Sequence, residues 1–281
     1  MARVKIFSDS TCDLPPDLIV QSQIGIVPLY VLFDNVSYGD GVDITTPVLY
    51  EKVKETGKLP TTAAPSPGEF IRAFAPWVEA GEDIVYIGLS SQFSATINNA
   101  RLAAQEFPPG RVEVVDSQNL STGIGLLVMR AADFAAEGLD APSIAESIRS
   151  LRAKVRTEFI IDTLEYLHKG GRCSGITRFI GGVLQIRPSV RVVDGGMVPA
   201  QKFRGSRAKA LQGLVKGVLA AKERISPERV FVTHSISEDA PYLQRELEKK
   251  AGVKEVLISQ AGCVISSHCG PNAIGILYIE K

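Results

Sequence analysis

The stretch IVYIGLSSQFSATINNA, residues 84–100, reads as a short apolar strand that empties into a hydroxyl-rich turn and then opens a helix. Two other stretches repeat the pattern. VKIF runs into SDSTCDLP over residues 4–15, and VEVV runs into DSQNLSTGIG over residues 112–125. Strands of this kind, alternating with helices, predict a parallel sheet covered by helices. In such a sheet all three loops share the carboxyl edge, where ligands bind. Hydroxyls and free helix N–H groups at that edge suit an anionic oxygen group.

The rest of the first half keeps the alternation. Helices are expected over residues 67–80, with Phe70, Phe74 and Trp77 at helix spacing, and over 94–107, 123–136 and 143–155. The second half changes character. Strands are expected over 158–163, 229–234, 256–259 and 274–279, with a hairpin formed by 188–193, the turn DGGMVP and 200–204. Short helices are expected around Tyr166 and over 176–184, and longer ones over 205–224 and 240–251. The expected fold class is therefore α/β in two domains. Residues 1–155 form a mostly parallel sheet flanked by helices, and residues 156–281 an α+β unit with a mixed or antiparallel sheet. No linker of low complexity separates them, and clefts between domains are preferred ligand sites.

Composition narrows the function. The chain has 281 residues, is 45% hydrophobic and carries zero formal net charge. A broad basic face for nucleic acid or a membrane surface is not expected. Neither a membrane-spanning run nor a signal peptide is read in it. The four cysteines, Cys12, Cys173, Cys263 and Cys269, never form Cys-x-x-Cys, which suits reduced thiols in a cytoplasmic protein. No cofactor is expected. The sequence has no nucleotide P-loop, no complete dinucleotide fingerprint and no Gly-x-Ser-x-Gly elbow. Cys263, His268 and Cys269 are potential zinc ligands, but their spacing fits no usual structural site and no metal is expected.

Four local signals remain. Ser90, Ser91, Ser94 and Thr96 crowd one strand-to-helix junction, where a cap needs a single hydroxyl. LPTTAAPSPGEF, residues 59–70, places Thr61 and Thr62 in extended chain before a helix marked by Ser66 and Pro67. GGRCSG, residues 170–175, sets Arg172 on a glycine-rich turn, where a guanidinium can grip a carboxylate or phosphate. Arg204 sits between a hairpin strand and the next helix. SSHCGPNAIG, residues 266–275, puts His268 in a turn before the last apolar strand, while His168 and His234 have ordinary structural explanations.

Taken in order, SDSTCDLP, PTTAAPSPGEF, LSSQFSATINNA, DSQNLSTGIG, TLEYLHKGGRCSG, KFRGSRAKA and HCGPNAIG resemble the DegV family of bacterial fatty-acid-binding proteins over essentially the whole chain. The resemblance implies two α/β domains with a long-chain fatty acid between them. It also implies a carrier that is not itself an enzyme, serving a separate fatty acid kinase. That kinase phosphorylates the bound carboxylate to an acyl phosphate for phospholipid metabolism. By position, the family's carboxylate-binding residues fall on Thr62, Ser94 with the following Ala95, and His268. Its two arginines fall on Arg172 and Arg204. Ala63 and Ala64 replace the usual Ser-Gln, Phe93 and Ala95 replace the common Leu and Gly, and Asn272 replaces a Gly.

The physical chemistry of a buried carboxylate agrees with that carry-over. Hydroxyls of Thr62 and Ser94 can satisfy it without a full positive charge, leaving Arg172 and Arg204 for a phosphate or a partner surface. Candidate tunnel residues are Ile26, Leu29, Phe93, Ile97, Ile161 and Ile274. Two alternatives compete. One is a serine acyl hydrolase or transferase with Ser94 as nucleophile and His268 as base, oriented by Asp9 or Asp116. The other is a phosphate-sugar binding module using the same loops.

Overall fold

A computed structural model describes residues 3–172 and 186–281 of the chain. Cys173 and the helix expected over 176–184 lie outside the described residues. Strand β1 (Val4–Asp9) leads through a 3-10 turn into α1 (Pro16–Gln21) and β2 (Gly25–Val27). Next come β3 (Tyr30–Phe33), β4 (Val36–Gly39), α2 (Thr46–Thr56) and β5 (Thr61–Ala63). The alternating run follows: α3 (Pro67–Glu79), β6 (Asp83–Gly88), α4 (Thr96–Ala104), β7 (Val112–Asp116), α5 (Thr122–Ala136) and α6 (Ala141–Leu151).

Strands β2, β1, β6 and β7 lie side by side in that order, and every neighbouring pair is parallel. The parallel sheet expected from the βα alternation is there. Its register sets Ser8 beside Ile87 and Gly88 beside Asp116, so the three hydroxyl-rich loops do leave from one edge. Helices α3 and α4 cover one face, with Phe70, Phe74 and Ile97 packed on Phe7, Ile84 and Tyr86. Helices α5 and α6 cover the other through Ile124, Leu127, Ile144 and Ile148. The start of α3 is written locally: Pro67 occupies its first position and the Ser66 N–H donates to Glu69 Oε2 at 2.7 Å.

At the carboxyl edge Asp9 is fully buried and accepts hydrogen bonds from Tyr86 Oη at 2.7 Å and the Leu89 amide at 3.0 Å. Gly88 permits this approach. A Cβ there would lie 2.2 Å from Tyr86 Oη and 2.8 Å from Asp9 Oδ2. Asp9 thus ties the ends of β1 and β6 together and fixes where the residue 89–95 loop begins.

The second half contains β8 (Val155–Ile160), α7 (Glu165–Lys169), β9 (Ile186–Val193), β10 (Gly196–Arg204) and α8 (Arg207–Leu219). It continues with β11 (Ile225–His234), α9 (Ala240–Lys250), β12 (Glu255–Gln260), α10 (Cys263–Cys269) and β13 (Ile274–Glu280). Its sheet has the order β10-β9-β8-β13-β11-β12 and is antiparallel except between β11 and β12, as the mixed-sheet expectation required. Helices α8 and α9 bury one face of this sheet through Leu214, Val218, Leu243 and Leu247. The other face turns toward the first half. Leu277 of β13, Phe231 of β11 and Val264 of α10 join Ile87, Ile124 and Leu127 in one core cluster. The halves therefore share apolar packing.

Two elements differ from expectation. Residues 30–63 carry a small antiparallel sheet, ordered β4-β3-β5, that packs with α2 against α10. His268 belongs to α10, not to a turn; the turn comes afterwards, at Gly270. The helix forms because its first amides are met from a distance. Cys263 and Val264 N–H groups donate to the buried Asp40 carboxylate at 2.7 and 3.2 Å, and the Gly262 N–H donates to Asp13 Oδ1 at 2.8 Å.

Candidate functional site

Between the parallel sheet and the inner face of the mixed sheet lies a cavity of about 250 Å³. Its apolar wall draws on both halves: Leu29, Leu89, Phe93 and Leu120 from the first, and Phe159, Leu167, Met197, Val264, Ile265 and Leu277 from the second. Several hydroxyl residues also line it, yet their hydroxyls are bonded to residues outside the wall. Thr157 Oγ1 donates to Asn119 Oδ1 at 2.8 Å, Ser121 Oγ donates to Asp13 Oδ2 at 2.5 Å, and Thr233 pairs with Thr122 at 2.5 Å. Buried hydroxyls satisfied in this way leave little polar demand on the lumen.

Two polar features differ from these: Thr62 and His268, bonded to each other within the wall, and Ser94 with Ala95, which line the cavity at the start of α4. Thr62 is held on β5, whose pairing with β3 sets it opposite Val31. Ser94 and Ala95 stand immediately before α4. The Thr96 amide donates to Ser94 Oγ at 3.3 Å, and the Ser94 and Thr96 hydroxyls lie 2.7 Å apart. A helix of nine residues thus starts beside Ser94 and Ala95, with the partial positive charge of its dipole.

His268 reaches Thr62 from the last turn of α10. Its Nε2 lies 2.9 Å from Thr62 Oγ1. Its Nδ1 is buried with no partner among the described residues, packed beside Gly170, where a Cβ would lie 2.3 Å from that nitrogen. An unpaired buried N–H costs more than an unpaired lone pair, so the neutral ring carries its proton on Nε2. It then donates to Thr62 Oγ1, and the Thr62 hydroxyl proton remains for another acceptor. Burial, reinforced by the nearby Arg172 guanidinium, pulls the His268 pKa down to about 4. The ring is neutral at neutral pH.

Arg172 lines the cavity and is largely exposed. Its Nη1 donates to the Gly170 carbonyl at 2.7 Å and its Nε to the Phe93 carbonyl at 3.3 Å, one residue from Ser94. Arg204 is exposed at the end of β10 and does not line the cavity. Of the tunnel candidates, Leu29, Phe93 and Ile274 line it. Ile26, Ile97 and Ile161 do not: Ile97 faces α3 beneath α4, and Ile161 packs with Leu167 and Val190. Met197, Leu167 and Val264 were not foreseen. Their local sequence carries no mark of a ligand wall.

A hydrolytic relay is not assembled. Ser94 and His268 are bonded to Thr96 and Thr62, not to each other. Asp9 is engaged by Tyr86 and Leu89, and Asp116 accepts from Ser91 Oγ at 2.6 Å and the Gln118 amide at 2.9 Å. Neither carboxylate orients the imidazole, as a catalytic triad requires. Burial raises the Cys263 and Cys269 thiols to about 12. Among the described residues no group of three or more His, Cys, Asp or Glu is placed to hold a metal ion.

The family model described as "Uncharacterised protein, DegV family" matches residues 3–281. The chain belongs to the DegV family. A DegV domain-containing protein of Caldanaerobacter subterraneus is 33% identical over 282 residues, covering 100% of both chains. One of Deinococcus radiodurans is 35% identical over 276 residues, covering 97% of each. Among solved structures, a fatty-acid-binding DegV family protein of Thermus thermophilus superposes with a TM-score of 0.92 at 35% identity, over 99% of this chain and 100% of that one. The fatty-acid-binding DegV of Bacillus subtilis gives 0.88 at 28% identity over the whole of both chains. A stearic-acid-binding protein of Eubacterium ventriosum gives 0.87 at 27% identity, over 100% of this DegV chain and 99% of that protein.

Proposed function

We propose that this DegV protein binds a long-chain fatty acid in the cavity, with the carboxylate on Thr62 and Ser94 at the start of α4 and the tail among the apolar walls. The observation that carries this reading is a largely apolar cavity onto which Thr62, Ser94 and His268 open beside the start of α4. Ser94 and Thr62 supply O–H donors, His268 holds Thr62 in the donating orientation, and the α4 N-terminus beside Ala95 adds its dipole. The catch meets the carboxylate with hydroxyls and a helix dipole, and the full charge of Arg172 stands at the exposed edge of the cavity. The fatty acids named for the Thermus, Bacillus and Eubacterium relatives support the same ligand class. In this reading residues 1–155 and 156–281 are the two domains, and the ligand lies between them.

The protein acts as a carrier and not as an enzyme. A separate fatty acid kinase transfers the terminal phosphoryl group of a nucleoside triphosphate to a carboxylate oxygen, giving the acyl phosphate and the diphosphate. The exposed Arg172, next to Ser94, and Arg204 face that phosphate or the kinase surface. The setting is cytoplasmic. Cys12, Cys263 and Cys269 are unpaired, and among the described residues no helix is long and apolar enough to cross a membrane.

Protein purified from a bacterial host is expected to release a long-chain fatty acid on denaturing extraction, identified by mass spectrometry. No lipid in repeated preparations, together with no binding of added fatty acid, would remove the carrier reading. Arg172→Ala and Arg204→Ala are expected to keep fatty-acid affinity within a fewfold but to slow phosphorylation by the kinase. Equal loss of fatty-acid affinity in both would instead place these arginines in the carboxylate catch.

A further inference from the structure

The cavity floor is a run of the mixed sheet whose two ends differ. At one end Cys269 and His268 lead through the Gly270 turn into Ala273 and Ile274, and all four line the cavity. The floor then follows β13. Register places Gly275 opposite Phe159 on one side and Thr233 on the other, and Leu277 opposite Thr157. Gly275 has no side chain to raise above the floor. From Ile274 to Leu277 the strand advances about 10 Å.

Leu277 differs from the residues before it. It is 2% exposed and belongs to the core cluster that holds Ile124 and Leu127 of α5. Its register neighbour Thr157 is backed by α5 as well, since a Cβ on Gly123 would lie 2.8 Å from Thr157 Oγ1. At this point β8 and β13 both pack against α5. We propose that Leu277 is the stop against which the methyl end of the acyl chain rests, and that its bulk sets the preferred chain length. This rests on the fatty-acid reading above.

The test is a binding profile over saturated fatty acids of increasing length, measured on lipid-stripped full-length protein for three forms: unsubstituted, Leu277→Ala and Leu277→Phe. Each buried methylene is worth about fourfold in affinity. Leu277→Ala opens space for about two further carbons, so an acid two carbons longer than the natural optimum is expected to gain about fifteenfold over it. Leu277→Phe is expected to move the optimum the other way. The two substitutions have opposite signs, and the phenylalanine form keeps the core filled if the alanine form proves too unstable to assay. Either variant keeping the unsubstituted optimum while still binding overturns the stop. Failure of the unsubstituted protein to bind any length overturns the fatty-acid reading itself.

Discussion

Replacing Thr62 and Ser94 together by alanine is expected to lower affinity for a long-chain fatty acid by about a hundredfold or more. Each hydroxyl donates to a carboxylate, and hydrogen bonds to charged groups contribute about 1.5–3 kcal/mol each. One such loss corresponds to roughly ten- to a hundredfold in affinity. Ser94→Ala alone is expected to fall in that range. The double variant is expected to exceed either single one without reaching their product, because both groups serve one carboxylate. Displacement of a fluorescent fatty acid from lipid-stripped protein measures all three. The substitutions do not empty the core: Thr62 and Ser94 are only partly buried, so folding should survive. Retention of full affinity by the double variant would mean that the carboxylate sits elsewhere.

Lowering the pH is expected to destabilise the lipid-free protein through His268. Its folded-state pKa is about 4 against 6.5 for the free side chain. Below pH 6.5 the unfolded chain therefore binds a proton that the folded protein refuses. The His268 contribution is fully present at neutral pH and is lost as pH falls from the unfolded toward the folded value. At about 1.4 kcal/mol per unit, the loss amounts to roughly 3 kcal/mol once both values are passed. The buried Asp9, Asp13 and Asp40 act in the opposite sense, because burial raises their pKa values and the folded state holds their protons longer. Their effect is common to the unsubstituted protein and His268→Gln, so it cancels in the comparison. Denaturant unfolding near neutral pH and near pH 4.5 is expected to show a steeper loss for the unsubstituted protein, by about 2–3 kcal/mol. Parallel pH profiles would show that the ring is not held neutral.

The features legible in the sequence are those written in local pattern. Short apolar strands such as residues 84–88 followed by hydroxyl-rich turns are sufficient to predict the parallel sheet and the common edge of its loops, because strand length and helix-start chemistry are local. Ser94 stood out in the same way, at a helix start with more hydroxyls than a cap uses, and Thr62 as a hydroxyl in the extended chain before α3. The small sheet over residues 30–63 carries a short local signal. Asp34 and Asn35 separate two short strands, and Asp34 adopts a φ of 50°, the left-handed conformation that a two-residue hairpin turn needs. Helix α10 left almost none. Its seven residues read as a turn because Gly270 and Pro271 follow, while the groups that cap it, Asp13 and Asp40, come from the other end of the chain. Long-range capping of this kind is not visible in a local window. The wall of the cavity was half legible for a related reason. Ile97 and Ile161 are as apolar as Leu29 and Ile274, and only tertiary packing decides which of them meets the lumen.

The central claim is that Thr62 and Ser94 recognise a carboxylate, and it is tested most directly by comparing a fatty acid with the fatty alcohol of equal length. Both are titrated into the lipid-stripped unsubstituted protein and the Thr62→Ala, Ser94→Ala double variant. The tail contacts are the same for both ligands, so the ratio of affinities isolates the polar end. Charge-assisted hydrogen bonds are about twice as strong as neutral ones, so the unsubstituted protein is expected to favour the acid by at least about tenfold. In the double variant that preference is expected to collapse. An acid preference that survives the loss of both hydroxyls would contradict the account.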